Sequence, residues 1–537
     1  MDKPNWEKKQ EETIGAAENR TAAMHLLKKG QSGFFRLVFS RMSIVLAMLL
    51  FNIAILLAIF GWFEELLPLF YGAGTILVAA MVIYLINSPM DASAKITWLI
   101  VIMLLPVFGA LLYLYTQTEL GYRAMKKRLQ TLYAATKDRL QLTQGAAKLA
   151  EQDPGAGAMT RYVSGVTGIP VYQNTEVTYF SGGEEMLTQM LQELEKATAS
   201  IYLEYFIIDE GIMWGSILDV LARKAAQGVD VRVLYDGTCE FILLPKGYGE
   251  KLQKLGIQCR VFAPVTPFVS THYNYRDHRK ILTVDGNIAF TGGINLADEY
   301  INARPRYGHW KDTGVMLRGE AAKGLEHMFL QAWNLKEKAF VFPEPEANPT
   351  CTADCQGFVM PYFEDPLDDE HVAEQVYMDI LNRAKRYVHI MTPYLILDGE
   401  LESALKYAAK RGVEVTLLLP GIPDKKIPYA LAKSHYPSLT QAGVKIYEYT
   451  PGFVHAKVMV ADDREAVVGT INLDYRSLYH HFECAVYLHN VPCIRDIVDD
   501  FAATVAQSES VTPQSIRQEK LFYKAAGRLL KVIAPLL

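Results

Sequence analysis

The sequence has little cysteine and no excess of charge of either sign. Its 537 residues include six cysteines, and 54 Lys and Arg stand against 59 Asp and Glu, a formal net charge of -5. Proteins that hold nucleic acid through its phosphates carry an excess of basic charge, so we expect no nucleic-acid partner. Six cysteines in a chain this long also exclude a small disulfide scaffold. With 50% hydrophobic residues, the chain is too apolar to be disordered.

Two of the cysteines lie close together in the motif CTADC. Cys351 and Cys355 could form a disulfide or bind a metal ion, but no histidine or further cysteine stands nearby to complete a metal site. We therefore interpret them as free thiols in a loop. The sequence predicts no metal site and no cofactor.

The apolar residues are concentrated near the N-terminus. The mean hydropathy is +0.06, which is high for a chain with 21% charged residues. Three charge-free runs each have roughly the 20 residues that a helix needs to cross a bilayer. Three buried helices of a globular core are the alternative, but such helices normally show a polar face. We predict membrane segments at 43–63, 66–87 and 96–115, within a membrane region of 43–116.

The orientation of these segments is harder to predict. Residues 1–42 form a basic extension, cytosolic or disordered, that ends near Arg36 and Arg41, and a second basic cluster around Lys126 follows the last segment. The positive-inside rule places both clusters in the cytosol, whereas three spans would separate them. Either the second cluster dominates or one segment is re-entrant. We expect the main body to be cytosolic.

The rest of the chain alternates between strand and helix patterns, and the series at 201–262 recurs at 388–449. The alternation indicates an α/β fold, and the period is too long for a solenoid. We predict two fused homologous α/β domains with pseudo-two-fold symmetry. The segments are a linker region at 117–171, a first domain at 172–341, a linker at 342–357, a second domain at 358–510 and a C-terminal amphipathic helix at 511–537. That helix either lies on the membrane surface or docks on the second domain.

One motif occurs twice and aligns without a gap. HRKILTVDGNIAFTGGIN begins at residue 278, and HAKVMVADDREAVVGTIN begins at residue 455. Both contain His-x-Lys-x4-Asp followed by Gly and Asn at the same offsets, a coincidence that chance does not explain. The predicted catalytic residues are His278, Lys280, Asp285, His455, Lys457 and Asp462, and the predicted phosphate-binding residues are Asn295 and Asn472.

The spacing suits chemistry on a phosphodiester. On a strand, residues two apart share a face, so each His projects with its Lys. Two imidazoles, two ammonium groups and two amides at an interface would bind phosphoryl oxygens and stabilise their developing charge. One imidazole could attack phosphorus while the other protonates the leaving alcohol. A hydrogen-bonded core histidine is the alternative for either one alone.

Carboxylates complete the predicted site. Asp285 and Asp462 fall at turns on the opposite strand face, and we interpret them as structural supports that bond local backbone. A nucleophilic imidazole needs an acceptor on its other nitrogen. HWKD and HFE align Asp312 with Glu483, which we predict to orient the two histidines; ordinary strand-edge acids are the alternative.

These motifs resemble those of the phospholipase D superfamily and, more closely, those of the bacterial cardiolipin synthases. The resemblance is carried by 273–300, 309–315, 454–477 and the membrane segment at 105–114, and it covers the chain from about residue 67 onward. Thr470 stands where many members of the superfamily carry serine.

The resemblance implies a phosphatidyltransferase that joins two phosphatidylglycerol molecules into cardiolipin and releases glycerol. It implies His278 as the nucleophile, through a phosphatidyl-histidine, and His455 as general acid and base. Phosphatidylglycerol and other membrane phospholipids would be the partners, at a multi-pass location in the bacterial cell membrane. The alternatives are a membrane-bound phospholipase D hydrolase, another phosphatidyltransferase, a nuclease, which the charge disfavours, and a scaffold, which the complete motifs disfavour.

Overall fold

The computed structural model describes residues 67–536 apart from 89, 105–108, 111, 115–119, 137–138, 141–143, 246, 265–274, 338 and 344–354. The predicted extension at 1–42 and the first predicted membrane segment at 43–63 lie outside the described residues. The described residues form two compact units, divided in sequence at residue 120.

The N-terminal unit contains helices α1 (Leu67–Ile86) and α2 (Ala92–Leu104). α1 covers most of the predicted segment 66–87, and α2 begins before the predicted segment 96–115. A buried apolar cluster joins the helices, and in it the rings of Trp98 and Tyr113 meet edge to face at 5.2 Å. Within the described residues, no helix combines the length and the apolarity that a membrane crossing requires.

Helices occupy much of the predicted linker region 117–171. They are α3 (Leu120–Thr136), α4 (Gly145–Gln152) and α5 (Pro154–Thr167). The side chain of Asp153 caps α5 by accepting from the backbone N–H of Ala156, and Pro154 occupies the first turn. Met159 and Val163 of α5 are buried in the core of the second α/β repeat. This region is therefore in part an element of that core.

The first repeat is a seven-stranded mixed sheet with flanking helices, in the order β1-β9-β7-β6-β2-β3-β4. Its strands are β1 (Thr175–Phe180), β2 (Ser200–Tyr205), β3 (Asp230–Asp236), β4 (Gln258–Phe262), β5 (Arg276–Asp277), β6 (Lys280–Val284), β7 (Ile288–Gly292), β8 (His309–Lys311) and β9 (Gly314–Gly319), of which β5 and β8 pair outside this sheet. Its helices are α6 (Gly183–Lys196), α7 (Ile212–Ala226), α8 (Gly237–Ile242), α9 (Tyr248–Lys254), a 3₁₀ turn (Asp298–Ile301) and α10 (Ala322–Asn334).

The second repeat has the order β10-β17-β16-β15-β11-β12-β13-β18. Its strands are β10 (Phe358–Glu364), β11 (Tyr387–Met391), β12 (Glu414–Pro420), β13 (Lys445–Tyr449), β14 (Gly452–Val454), β15 (Val458–Ala461), β16 (Glu465–Gly469), β17 (His481–His489) and β18 (Ser508–Ser510), and β14 pairs outside this sheet. Its helices are α11 (Val372–Arg383), α12 (Gly399–Lys410), α13 (Lys426–Gln441), α14 (Tyr475–Tyr479), α15 (Ile494–Val505), α16 (Pro513–Gln518), α17 (Leu521–Leu530) and a 3₁₀ turn (Ala534–Leu536).

The two sheets have the same strand order position by position, except that β18 extends the second one. The predicted repeat of an α/β fold is therefore confirmed. The sheets also share an apolar cluster, which contains Ile281 and Ala289 of the first repeat and Val458, Val460 and Val468 of the second. Both strands that follow the motif histidines, β6 and β15, contribute to this cluster, so burial of apolar surface holds the two motifs together.

Cys355 is disulfide-bonded, and the free-thiol interpretation is wrong for this residue. Four other cysteines of the described chain, Cys239, Cys259, Cys484 and Cys493, are free.

Candidate active site

The backbone at the first motif histidine is hydrogen-bonded to the second repeat. His278 follows β5, which pairs in parallel with the start of β17. The backbone N–H of His278 continues this ladder by donating to the carbonyl of Phe482 at 2.9 Å. Strand β6 then begins with Lys280, and the side chains of His278 and Lys280 are both buried.

The second motif histidine repeats this arrangement with the halves exchanged. His455 follows β14, which pairs in parallel with β8 of the first repeat. The backbone N–H of His455 donates to the carbonyl of Lys311 at 2.7 Å. Each histidine therefore stands at the end of a short strand that belongs to one repeat and pairs with the other.

Each imidazole contacts a carboxylate of the opposite repeat. Nδ1 of His278 lies 2.9 Å from both carboxylate oxygens of Glu483. Nδ1 of His455 lies 2.7 Å from Oδ2 of Asp312. When Nδ1 carries the proton in each ring, it donates to the carboxylate and leaves Nε2 available for chemistry. Asp312 and Glu483 therefore lie beside the motif histidines, and each histidine pairs with the carboxylate of the other repeat.

The two lysines are held by their own motifs. Nζ of Lys280 donates to the carbonyl of His278 at 2.7 Å, and Nζ of Lys457 donates to the carbonyl of His455. Both side chains are 1% exposed. A buried ammonium group with one carbonyl partner retains two N–H donors for an anion.

Burial and mutual repulsion keep the imidazoles neutral. Burial, followed by the charge of Lys280, holds the pKa of His278 well below its usual range. Burial and Lys457 lower the pKa of His455 to about 4, although Asp312 opposes this shift. A bound phosphodiester anion would raise both pKa values, because it favours the protonated imidazole.

The lysines and carboxylates are perturbed as well. Burial lowers the pKa of Lys280 to about 8 and that of Lys457 to about 7. Burial raises the pKa of Glu483 to about 8, against the influence of Lys280. The pKa of Asp312 is lowered, because His455 and Lys457 together outweigh its burial. Such a set of shifted groups in one place is typical of an active site.

The two asparagines are placed differently. The side-chain oxygen of Asn295 accepts from the backbone N–H of Ile207 at 3.0 Å, and its amide nitrogen donates to the hydroxyl of Tyr300 at 2.7 Å. The ring of Tyr300 packs edge to face on His455 at 5.4 Å. The side-chain oxygen of Asn472 is buried without a partner in the described chain.

Asp285 and Asp462 do not point at the histidines. Asp285 accepts three backbone N–H bonds from residues 198–200, which lead into β2, each at 2.8 Å. Asp462 accepts the equivalent bonds from residues 385–387, which lead into β11, at 2.7 to 2.9 Å. The bonds go to backbone, but the expectation of local partners was wrong. By accepting these bonds, each aspartate joins its motif turn to the start of a neighbouring strand that is distant in sequence and comes near only in the tertiary fold.

Several residues beside the histidines were missed by the sequence analysis. Phe206 packs 4.9 Å from His278, and Trp310 packs 5.3 Å from His455, measured between ring centroids. A third imidazole, His481, lies 5.5 Å from His278. Strand alternation in HHFE already placed His481 on the same face as Glu483, which was the available signal.

Among the residues that the structure describes, three groups bring possible ligand atoms within 4.8 Å of one another. They are His278, His481 and Glu483; Asp153, Glu465 and His489; and Glu374, Asp398 and Glu400. The first group adjoins the ammonium group of Lys280, whose charge opposes a bound cation. The geometry of that group favours an anion instead.

Comparisons with known proteins agree with this geometry. The family description "Cardiolipin synthase, PLD-like domain" matches residues 190–333 and 377–505, and "Phospholipase D-nuclease N-terminal" matches residues 76–116. A phosphatidylserine synthase from Haemophilus influenzae, of known crystal structure, is similar with a TM-score of 0.51 at 15% identity. It covers 71% of this chain and 100% of its own, which supports the shared fold.

Similar sequences cover most of the chain. An uncharacterized protein from Streptococcus mutans is 52% identical over 85% of this chain and 99% of its own length. A cardiolipin synthase from Geobacillus kaustophilus is 33% identical over 90% of this chain and 99% of its own. Another, from Halalkalibacterium halodurans, is 32% identical over 86% and 92%. Together with the two crossed motifs, these matches place the chain in the cardiolipin synthase family of the phospholipase D superfamily.

Proposed function

We propose that this protein is a cardiolipin synthase, a phosphatidyltransferase that joins two phosphatidylglycerol molecules and releases glycerol. The observation that carries the proposal is the crossed pair of buried imidazoles, each held by a carboxylate of the other repeat. The relatives named cardiolipin synthase add the substrate class.

In the first half-reaction, Nε2 of His278 attacks the phosphorus of one phosphatidylglycerol. A P–N bond forms and the P–O bond to the glycerol headgroup breaks, while His455 gives its Nε2 proton to the leaving oxygen. Glu483 holds the Nδ1 proton of His278 and so directs the lone pair of Nε2 at phosphorus. The anionic substrate and Asp312 together favour the protonated His455 that this step needs.

In the second half-reaction, the glycerol hydroxyl of another phosphatidylglycerol enters beside His455. His455 takes the hydroxyl proton, the oxygen attacks phosphorus and the P–N bond breaks, which returns His278 and yields cardiolipin. Microscopic reversibility requires the same imidazole to act as acid and then as base.

The remaining residues stabilise charge and geometry. Lys280 and Lys457 present their free N–H donors to the nonbridging oxygens, where negative charge grows in the transition state. Asn472, whose buried side-chain oxygen has no partner in the described chain, is the second proposed phosphate-binding amide. Asn295 acts through Tyr300, which packs on His455. Asp285 and Asp462 fix the motif turns through backbone hydrogen bonds and take no part in proton transfer.

A transferase must also disfavour water as the acceptor, because hydrolysis is the alternative reaction of the same intermediate. The surroundings of the histidines support transfer. Aromatic rings of Phe206, Tyr300, Trp310 and Phe453 lie within 5.8 Å of one or the other imidazole, between ring centroids. Such apolar walls reduce the space for water near the P–N bond.

We place the enzyme in the bacterial cell membrane, with segments at 43–63, 66–87 and 96–115 as its multi-pass anchor and a cytosolic catalytic body. The match of the N-terminal family description supports an anchor there. Helix α17 adds a second contact, because Leu521, Phe522 and Leu529 are 80%, 69% and 74% exposed. Lys520 and Arg528 adjoin this apolar face and suit anionic headgroups. Domain limits of 172–341 and 358–510 complete the proposed organisation.

Incubation of the detergent-purified full chain with phosphatidylglycerol alone tests the proposal. Cardiolipin and free glycerol in equal amounts are expected, and a chain with both His278→Ala and His455→Ala is the matched control. Phosphatidic acid and glycerol without cardiolipin would instead establish a phospholipase D hydrolase. Cardiolipin formed only after another alcohol or an activated lipid is added would establish a different phosphatidyltransferase.

A further inference from the structure

The two half-sites carry different side chains at one equivalent position. Strands β8 and β17 pair with β14 and β5 in the same parallel register. Trp310 of β8 precedes Asp312 by two residues, with Asp312 just past the end of that strand, and His481 precedes Glu483 by two residues within β17. Since residues two apart share a strand face, each of these rings lies on the same side as the carboxylate that holds a motif histidine.

His481 is a buried imidazole without a hydrogen-bond partner in the described chain. Both of its ring nitrogens are buried, and neither has a hydrogen-bond partner in the part of the chain that the structure describes. Its Nδ1 lies 3.8 Å from Oε1 of Glu483, which is too long for a hydrogen bond. Buried polar groups are nearly always paired, so an unpaired N–H beside a reacting group indicates a partner that arrives with the substrate.

The charges around His481 define that partner. Burial and the adjacent positive groups keep the pKa of His481 well below its usual range, so it is a neutral ring with one N–H donor. The titratable and charged groups facing it are Arg276, His278, Lys280, Arg476, His480 and Glu483. Of these groups, Arg276, Lys280 and Arg476 carry positive charge, which favours an anionic oxygen over a cation.

We propose that the ring N–H of His481 donates a hydrogen bond to a phosphoryl oxygen of the phosphodiester bound at His278. His481 is then a phosphate-binding residue of one half-site only, because Trp310 occupies the equivalent position in the other. The proposal rests on the proposed function for its lipid substrate, but phosphoryl oxygen is shared with inorganic phosphate, which allows a separate measurement.

The test uses the detergent-purified full chain with the variants His481→Leu and His481→Gln. The KM for phosphatidylglycerol in mixed micelles and the inhibition constant of inorganic orthophosphate are measured for each. His481→Leu removes the donor, and we expect both constants to rise about tenfold or more, as for the loss of one hydrogen bond to a charged oxygen. His481→Gln keeps an N–H donor and is expected to stay within about threefold of the parent for both.

A matched control lies on the same strand. His489, at the far end of β17, is also buried, and its Nε2 has no partner among the described residues. His489→Gln makes the same replacement away from the motif histidines and is expected to leave the phosphate inhibition constant unchanged.

Inhibition by orthophosphate provides a readout that a purely structural role would not move. Orthophosphate shares only its charged oxygens with the lipid, so weaker inhibition in His481→Leu that is restored in His481→Gln reports the lost N–H donor. The inhibition constant is expected to be similar in the parent, His481→Gln and His489→Gln and raised in His481→Leu.

Three results would overturn the proposal. The first is a folded His481→Leu protein whose KM and phosphate inhibition constant both stay within twofold of the parent. The second is a rise in KM without a rise in the phosphate constant, which would assign His481 to a headgroup hydroxyl. If His481→Leu does not fold, His481→Phe removes the donor and keeps a ring, and a phosphate inhibition constant within twofold of the parent decides against the proposal. The parent protein could make no cardiolipin while His481→Leu still binds orthophosphate more weakly than the parent. That result would refute the proposed function and leave this inference standing.

Discussion

The two half-sites share one backbone arrangement and differ in the chemistry of their side chains. His278 faces both oxygens of Glu483, which also accepts a hydrogen bond from the hydroxyl of Thr470. His455 faces one oxygen of Asp312. The pKa of Glu483 is raised to about 8, whereas that of Asp312 is lowered. One carboxyl group is therefore close to neutral near pH 7, and the other is an anion.

This difference supports separate roles for the two histidines. An anionic Asp312 stabilises an imidazolium at His455, which suits a group that gives and takes a proton. A nearly neutral Glu483 accepts the Nδ1–H of His278 without favouring its protonation at Nε2, which suits a nucleophile. Gene duplication alone would give two equal half-sites; burial and neighbouring charges make them unequal.

The largest expected effect comes from removing each motif histidine separately, because the two histidines have different roles. His278→Ala and His455→Ala should each lower kcat by about 10⁴-fold or more with phosphatidylglycerol. With a phosphatidyl ester of p-nitrophenol, whose leaving group needs no proton, His455→Ala should still release a burst of nitrophenolate and trap labelled lipid on the protein. His278→Ala should do neither, and labelled His278→Ala protein would reverse the assignment.

The next largest effect should be the difference in kcat between variants of the two carboxylates. Asp312→Asn removes the anion that stabilises the His455 imidazolium, and we expect kcat to fall by about 10³- to 10⁴-fold, as in other His–carboxylate pairs. Glu483→Gln replaces a nearly neutral group by a neutral one of the same shape, and a loss of about tenfold is expected. Steady-state kinetics on both purified variants measures this ratio. Equal losses would show that Glu483 also works as an anion.

The two lysines should make kcat/KM depend on pH. Because the pKa of Lys457 is lowered to about 7 and that of Lys280 to about 8, their charges are lost as pH rises through these values. The kcat/KM of the parent is expected to fall above about pH 7 to 8, by up to about tenfold per pH unit for each lysine. The arginine of Lys457→Arg keeps its positive charge at these pH values, so the fall in kcat/KM that begins near pH 7 should disappear. A fall that persists near pH 7 would belong to another titrating group.

The smallest effect should come from the motif aspartates, which support both halves alike. Asp285→Asn and Asp462→Asn each weaken several backbone hydrogen bonds, and a loss of about 1–3 kcal/mol in the free energy of unfolding is expected for either. The kcat per folded molecule should change less than about tenfold. Thermal unfolding of the full chain measures the loss, with exposed Asp499→Asn as the control. A loss of kcat like that of the histidine variants would instead give these residues a chemical role.

The sequence predicted the repeat and the motif residues because both leave local signals. Strand periodicity at 201–262 and 388–449 matches β2 to β4 and β11 to β13, since alternating burial constrains residue type along a strand. The segment 117–171 is predicted as a linker region, whereas α5 packs into the core of the second repeat, a fit that depends on a partner surface far along the chain. The partners of Asp285 were missed for the same reason.

The sequence by itself determined that two His-Lys motifs exist, that each has a nearby carboxylate, and that apolar segments precede them. Only the tertiary structure decided which carboxylate holds which histidine, and it crossed them, because β5 and β14 leave their own sheets and pair with the opposite repeat. It also decided that His481 stands beside His278 and that the two half-sites differ in charge. Both outcomes depend on burial and on distances between residues far apart in sequence, which local patterns do not encode.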